Sequence, residues 1–196
     1  MDKMAQRSLK DYAYYLKVER GMSPNTVSAY CRDVRAFLEE GGQAAAGTGR
    51  DLSRLATAED VERYLSARST ELSARSQARL MSSLRSFFDY LILEGDRQDN
   101  PCDSLDAPKL SRHLPDVLSV EEVDAIMQSV DLKAAGGLRD RAILEMLYGC
   151  GLRVSEACGL RISDVFLEEG FVRVIGKGNK QRLVPMGEMA RDAFRN

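Results

Sequence analysis

Residues 148–187 read YGCGLRVSEACGLRISDVFLEEGFVRVIGKGNKQRLVPMG, and the hydrophobic period changes inside this one stretch. A short helix is expected from about Val154. From Phe171 the apolar residues gather into two runs, FVRVIG and QRLVPM, on either side of Lys177-Gly178-Asn179. Phe171, Val172, Val174 and Ile175 favour strand, and a Gly–Asn turn between such runs predicts a β-hairpin, with Asp164–Leu167 as a candidate third strand. Just upstream, Ser119 followed by Glu122 makes a capping box that opens a helix through about Val130. A longer helix from about Leu138, carrying Ile143, Leu144 and Leu147, leads to Gly149 and Gly151.

Working outward, Pro101, Pro108 and Pro115 fall among polar, turn-forming residues that cannot sustain a helix. They predict an extended linker over 101–115, which divides the chain into domains at 1–100 and 116–196. The first domain reads as four helices. Leu9, Tyr12, Ala13 and Leu16 mark one. Ser23-Pro24, a cap followed by proline at the first helical position, opens the second, with Val27, Tyr30, Cys31, Val34, Phe37 and Leu38 as its apolar stripe. Thr57 caps a third, and the fourth runs from about Ser73 to Leu93. The small residues at 41–50 read as a loop within this domain. The fold class is therefore mostly α: a four-helix domain followed by a mixed α/β domain with a small antiparallel sheet.

Composition bounds the function. The 196 residues are 44% hydrophobic and 30% charged, with a mean hydropathy of -0.32, the balance of a soluble globular protein. No run of about 18 apolar residues exists and the first residues lack a signal peptide's apolar core, so no membrane association and a cytoplasmic location are expected. Cys31, Cys102, Cys150 and Cys158 form no C-x-x-C pair and His113 is the sole histidine, so no metal site is expected. There is no P-loop, the Gly149-Cys150-Gly151 run lacks the third glycine of a dinucleotide fingerprint, and one histidine argues against a Ser/His/Asp triad. The net charge of -2 argues mildly against a nucleic-acid partner, but the sum hides two acid-free stretches. Leu72–Phe88 holds Arg75, Arg79 and Arg85; Phe171–Met186 holds Arg173, Lys177, Lys180 and Arg182.

Two features can carry chemistry. Arg153 sits at a helix start after two glycines, where its planar fork lies near free backbone N–H groups and suits a phosphate. Glu156, three residues on, shares its helical face; a plain surface ion pair is the competing reading. Lys177, between glycines at the hairpin tip, can approach a substrate backbone as a contact or as a general acid, and a solvated turn is the alternative.

These two blocks in this order, GLRVSEACGLRISDV and VRVIGKGNKQRLVPMG, resemble the tyrosine recombinases of the phage-type integrase family, specifically the Xer-like site-specific recombinases. ERGMSPNTVSAYCRDVRAFLEE and LSARSQARLMSSLRSFFDYLILEG are similar to the second and fourth helices of that family's SAM-like core-binding domain. The resemblance implies a C-shaped clamp on double-stranded DNA, strand cleavage and rejoining through a 3′-phosphotyrosyl link, no cofactor, and further protomers in a tetramer on two duplexes. By motif, Arg153 looks like the arginine that binds the scissile phosphate, Lys177 like the acid for the 5′-oxygen, and Glu156 like the carboxylate that supports the arginine. Polar stripes at helical spacing, Asn25, Ser28, Arg32 and Arg35 on the second helix and Arg75 and Arg79 on the fourth, are expected to contact DNA, together with Lys180 and Arg182.

The sequence departs from the family in one respect. The H-x-x-R block and the nucleophilic tyrosine lie downstream of the hairpin in the family. Here all seven tyrosines, Tyr12, Tyr14, Tyr15, Tyr30, Tyr64, Tyr90 and Tyr148, precede it. The 196-residue chain is therefore expected to bind duplex DNA as an incomplete form without cleaving it. A non-catalytic DNA-binding protein of the same architecture and a helical interaction module are the other readings.

Overall fold

The computed structural model describes residues 3–41, 51–106, 116–176 and 180–195, which fall into two compact units, Met1–His113 and Leu114–Asn196. The first unit is built from α1 (Lys3–Tyr14), α2 (Pro24–Ala36), α3 (Leu52–Leu55), α4 (Ala58–Arg68) and α5 (Ala74–Leu93). Helices α1 and α2 each widen into a π turn at the C-terminal end, Tyr15–Glu19 and Phe37–Gly41. Four of the helices are those expected; α3 is a single added turn, started by Asp51, whose carboxylate accepts from Ser53 N at 3.0 Å. Ser23, Thr57 and Ser73 cap α2, α4 and α5 with their side-chain oxygens, and at Thr57 the Asp60 carboxylate returns the bond to complete a capping box.

The apolar stripes meet in one core. Tyr12, Leu16, Val34, Phe37, Leu84, Phe87 and Phe88 are buried together, with Tyr12 edge-on to Phe87 at 5.3 Å and Phe37 edge-on to Tyr64 at 5.2 Å between ring centroids. A polar lock crosses this core between α2 and α5: buried Asp33 accepts from Arg79 Nη2 at 3.2 Å and from Ser83 Oγ at 2.9 Å.

The stretch expected as an extended linker is folded at its start. Pro101 and Cys102 are buried, Cys102 within the first core, and Arg85 Nη2 donates to the carbonyls of Cys102 and Leu105. Residues 107–115 of that expected linker, with His113, lie outside the described residues, as do residues 42–50 of the loop expected over 41–50, whose first residue, Gly41, ends the π turn after α2.

The second unit contains α6 (Val120–Gln128), α7 (Gly137–Tyr148), α8 (Val154–Cys158), a 3₁₀ turn (Ile162–Asp164), β1 (Val165–Phe166), β2 (Phe171–Ile175), β3 (Gln181–Pro185) and α9 (Glu188–Arg195). The strands form an antiparallel sheet in the order β1-β2-β3, so the candidate third strand is present as a two-residue pairing. Helix α6 starts at the expected Ser119–Glu122 capping box and ends at Gln128, two residues short of Val130. Helix α9 was not expected; it lays buried Ala190 into a second core of Met146, Cys150, Leu152, Val172, Val174 and Met186. No helix among the described residues is long and apolar enough to cross a membrane.

Candidate functional site

The site is assembled at the start of α8. Gly149 ends α7 in right-handed helical conformation, and its value is space: a Cβ there would lie 2.9 Å from the Glu145 carbonyl oxygen. Gly151, at φ 61°, makes the left-handed turn that glycine supplies without strain. Only one of the two glycines is therefore used for its backbone freedom. The turn delivers Arg153 to the N-cap position of α8 in extended conformation.

An arginine cannot cap a helix as an oxygen acceptor does. Glu156 takes over that task. Its Oε2 accepts from the Arg153 backbone N at 2.9 Å, which satisfies a donor at the helix start. The same carboxylate receives three side-chain bonds. Arg153 Nη1 donates to Oε1 at 3.1 Å; Arg182 on β3 donates from Nη1 to Oε1 at 2.9 Å and from Nη2 to Oε2 at 2.8 Å. Glu156 is thus held by a bidentate fork from β3 and by a single guanidinium bond from Arg153. Its side chain is 4% exposed, while that of Arg153 is 71% exposed. The Arg182 guanidinium foremost, then the Arg153 backbone N–H, hold the Glu156 carboxyl down at about 2 against the opposing effect of its burial. With two cations on one anion, the cluster carries an excess positive charge, and its outer member faces solvent.

Strand register puts Arg182 there. In the β2–β3 ladder Val174 pairs with Arg182 and Val172 with Val184. Val172 and Val174 are buried, so Arg182 lies on the inner face and the apolar Leu183 between them is turned outward, 59% exposed. The hairpin stem closes through Gly176 N donating to the Lys180 carbonyl at 2.8 Å. Gly176 stands against the cluster: a Cβ on it would lie 3.1 Å from Arg182 Nη1 and 3.3 Å from Glu156 Oε1. Lys177 lies outside the described residues. Lys180 is exposed beside the tip. A second ion pair buttresses the sheet, Arg173 Nη2 to Asp164 Oδ1 at 2.7 Å. Among the described residues no group of three or more His, Cys, Asp or Glu side chains could hold a metal ion.

In the first unit, Asn25, Ser28, Arg32 and Arg35 are all exposed along α2, and Arg75 is exposed at the start of α5. Arg79, expected beside Arg75 as a surface contact, is half-buried and committed to Asp33. Two pairings were not read from the sequence: Arg182 with Glu156, which are 26 residues apart, and Arg79 with Asp33. The β alternation that makes Arg182 share a face with Val184 was the available signal for the first.

This geometry can be set beside known proteins. The Phage integrase family pattern matches residues 116–196, and the pattern of the phage integrase N-terminal SAM-like domain matches residues 9–95. The chain belongs to the phage integrase family of tyrosine recombinases. Among its Xer-type relatives, tyrosine recombinase XerD of Listeria monocytogenes is 41% identical over 182 residues, 93% of this chain and 61% of that protein. Tyrosine recombinase XerC of Xylella fastidiosa is 42% identical over 190 residues, 96% of this chain and 63% of that protein. The chain therefore spans somewhat over three-fifths of these relatives' length. In fold, this Xer-like chain is similar to lambda integrase in the crystal structure of its tetramer bound to a Holliday junction, with a TM-score of 0.68 and 21% identity over 94% of this chain and 52% of that one.

Proposed function

We propose that this chain is the duplex-binding and phosphate-activating portion of a site-specific DNA recombinase of the Xer type. One observation carries the reading: the Glu156 cluster neutralises only one of its two guanidiniums, and the partly free one, Arg153, is exposed beside the hairpin stem. A guanidinium presented in this way can take two oxygens of a phosphodiester and stabilise the charge that develops as it becomes five-coordinate. Lys177, which lies between β2 and β3 in the sequence, would supply the proton for the departing 5′-oxygen. Lambda integrase is a tetramer on a Holliday junction in its crystal structure, which supports double-stranded DNA and further protomers as partners here. The exposed stripe Asn25, Ser28, Arg32 and Arg35, with Arg75, supplies the backbone contacts in the first unit, and Lys180 does so in the second.

The test is duplex binding by the 196-residue chain across a salt series. Binding should weaken steeply, with log K falling linearly in log salt, and Arg153→Met should flatten that slope by about 0.9, one phosphate contact. A salt-independent or absent interaction with duplex DNA overturns the reading. The family's nucleophile is a tyrosine downstream of the hairpin, and no tyrosine follows Lys177 in these 196 residues. We therefore expect no covalent adduct on a nicked suicide duplex; an adduct band on a denaturing gel would refute this.

A further inference from the structure

We propose that Arg182 is a positioning residue that occupies the Glu156 carboxylate and so keeps the outward donors of Arg153 available to a phosphate. This rests on the functional reading above. An arginine and a carboxylate favour two parallel hydrogen bonds, and Arg182 makes both, at 2.9 and 2.8 Å. Arg153, three residues from the same carboxylate, is left with one guanidinium bond, at 3.1 Å. Were Arg182 absent, Glu156 would turn its fork-accepting edge to Arg153. The local charge would fall to a neutral pair, and the donors now facing solvent would be drawn inward.

Two further features of the hairpin serve this arrangement. The register turns charged Arg182 toward α8 and apolar Leu183 toward solvent, the reverse of what hydropathy alone would select. Gly176 leaves room where a methyl group would press on both Arg182 Nη1 and Glu156 Oε1. The β2–β3 ladder, through Arg182, and the helix start that carries Arg153 are consequently tied to one another through a single carboxylate.

The test uses the 196-residue chain and two readouts. The first is the Arg153 side-chain Nε–Hε signal in nitrogen-15 NMR, without DNA. Arg182→Met should move it and slow its solvent exchange, and adding Glu156→Gln should return it toward the wild-type position. A signal that stays in place in Arg182→Met overturns the proposal, whether or not the chain binds DNA. The second readout is the salt slope on a duplex. Arg153→Met, Arg182→Met and the double variant should all lose the same single contact, about 0.9 in slope. A loss of about 1.8 in the double variant means that Arg182 touches a phosphate itself, and also overturns the proposal. Absence of duplex binding by the wild-type chain sinks the functional reading alone, and the NMR readout then decides. If the amide spectrum shows Arg182→Met to be unfolded, Arg182→Lys takes its place: charge kept, fork lost, a smaller shift in the same direction expected, and an unmoved signal again decisive against.

Discussion

Glu156 holds two guanidiniums with one carboxylate, Arg153 at the start of its own helix and Arg182 on β3. Its three-residue spacing from Arg153 was legible, because helix geometry alone brings those side chains together. Its stronger partner was not, because a contact across 26 residues depends on strand register and on which face of the hairpin packs inward. The structure makes a pH prediction at this residue. Its carboxyl is lowered from the ordinary 4.5 to about 2, so the ionised form is the one the fold prefers. The sign follows from linkage: the stabilisation is complete above 4.5 and disappears as pH falls through about 2. Glu156→Gln should therefore lower the urea midpoint of the chain at neutral pH, and the gap to wild type should narrow steadily below 4.5. A gap that is constant from pH 7 to pH 3 would mean that the carboxylate's charge contributes nothing to folding.

At the scale of elements, the helices of the first unit were legible because their caps and apolar spacing agree: Ser23-Pro24, Thr57 and Ser73 each begin a helix where the sequence places it. Helix α9 was missed although Met189, Ala190, Ala193 and Phe194 recur at helical spacing: it is eight residues long, and of that apolar set Ala190 alone is buried. The polar stripe on α5 was read as one surface and is in fact two. Arg75 is exposed, while Arg79 reaches back to Asp33 on α2. Their substitutions should separate. Arg75→Ala is expected to flatten the salt slope of duplex binding while leaving the thermal midpoint unchanged. Arg79→Ala leaves the buried Asp33 carboxylate with Ser83 as its remaining side-chain donor on α5, and should cost about 2 kcal/mol of stability. Equal thermal midpoints for the two variants would show that the α2–α5 lock adds nothing.

Across the whole molecule, the division into two units was foreshadowed by the prolines, but the point where the first unit stops was not. Proline and glycine signal a break in helix, and a buried turn satisfies that signal as well as an open linker does. The residues that tell the two apart are Arg97, Asn100 and Cys102. Buried Arg97 donates to the carbonyls of Ser53, Arg54 and Ala56 and lies over the Phe88 ring at 5.1 Å, tying α3 to the end of α5. Asn100 Nδ2 donates to the Arg85 carbonyl and to Asp89 Oδ1, while its Oδ1 accepts from Cys102 N. The SAM-like pattern match stops at residue 95, before all three. A fragment of residues 1–106 should therefore fold with a markedly higher urea midpoint than one of residues 1–95. Allowing about 1 kcal/mol for each of the three anchoring groups, the shorter piece should lose roughly 3 kcal/mol. Its weakest point should be α3, where the carbonyls of Ser53, Arg54 and Ala56 would face no guanidinium; hydrogen exchange there should rise first. Matching midpoints for the two fragments would place the stability of this unit wholly in its helices and leave residues 97–102 as passengers.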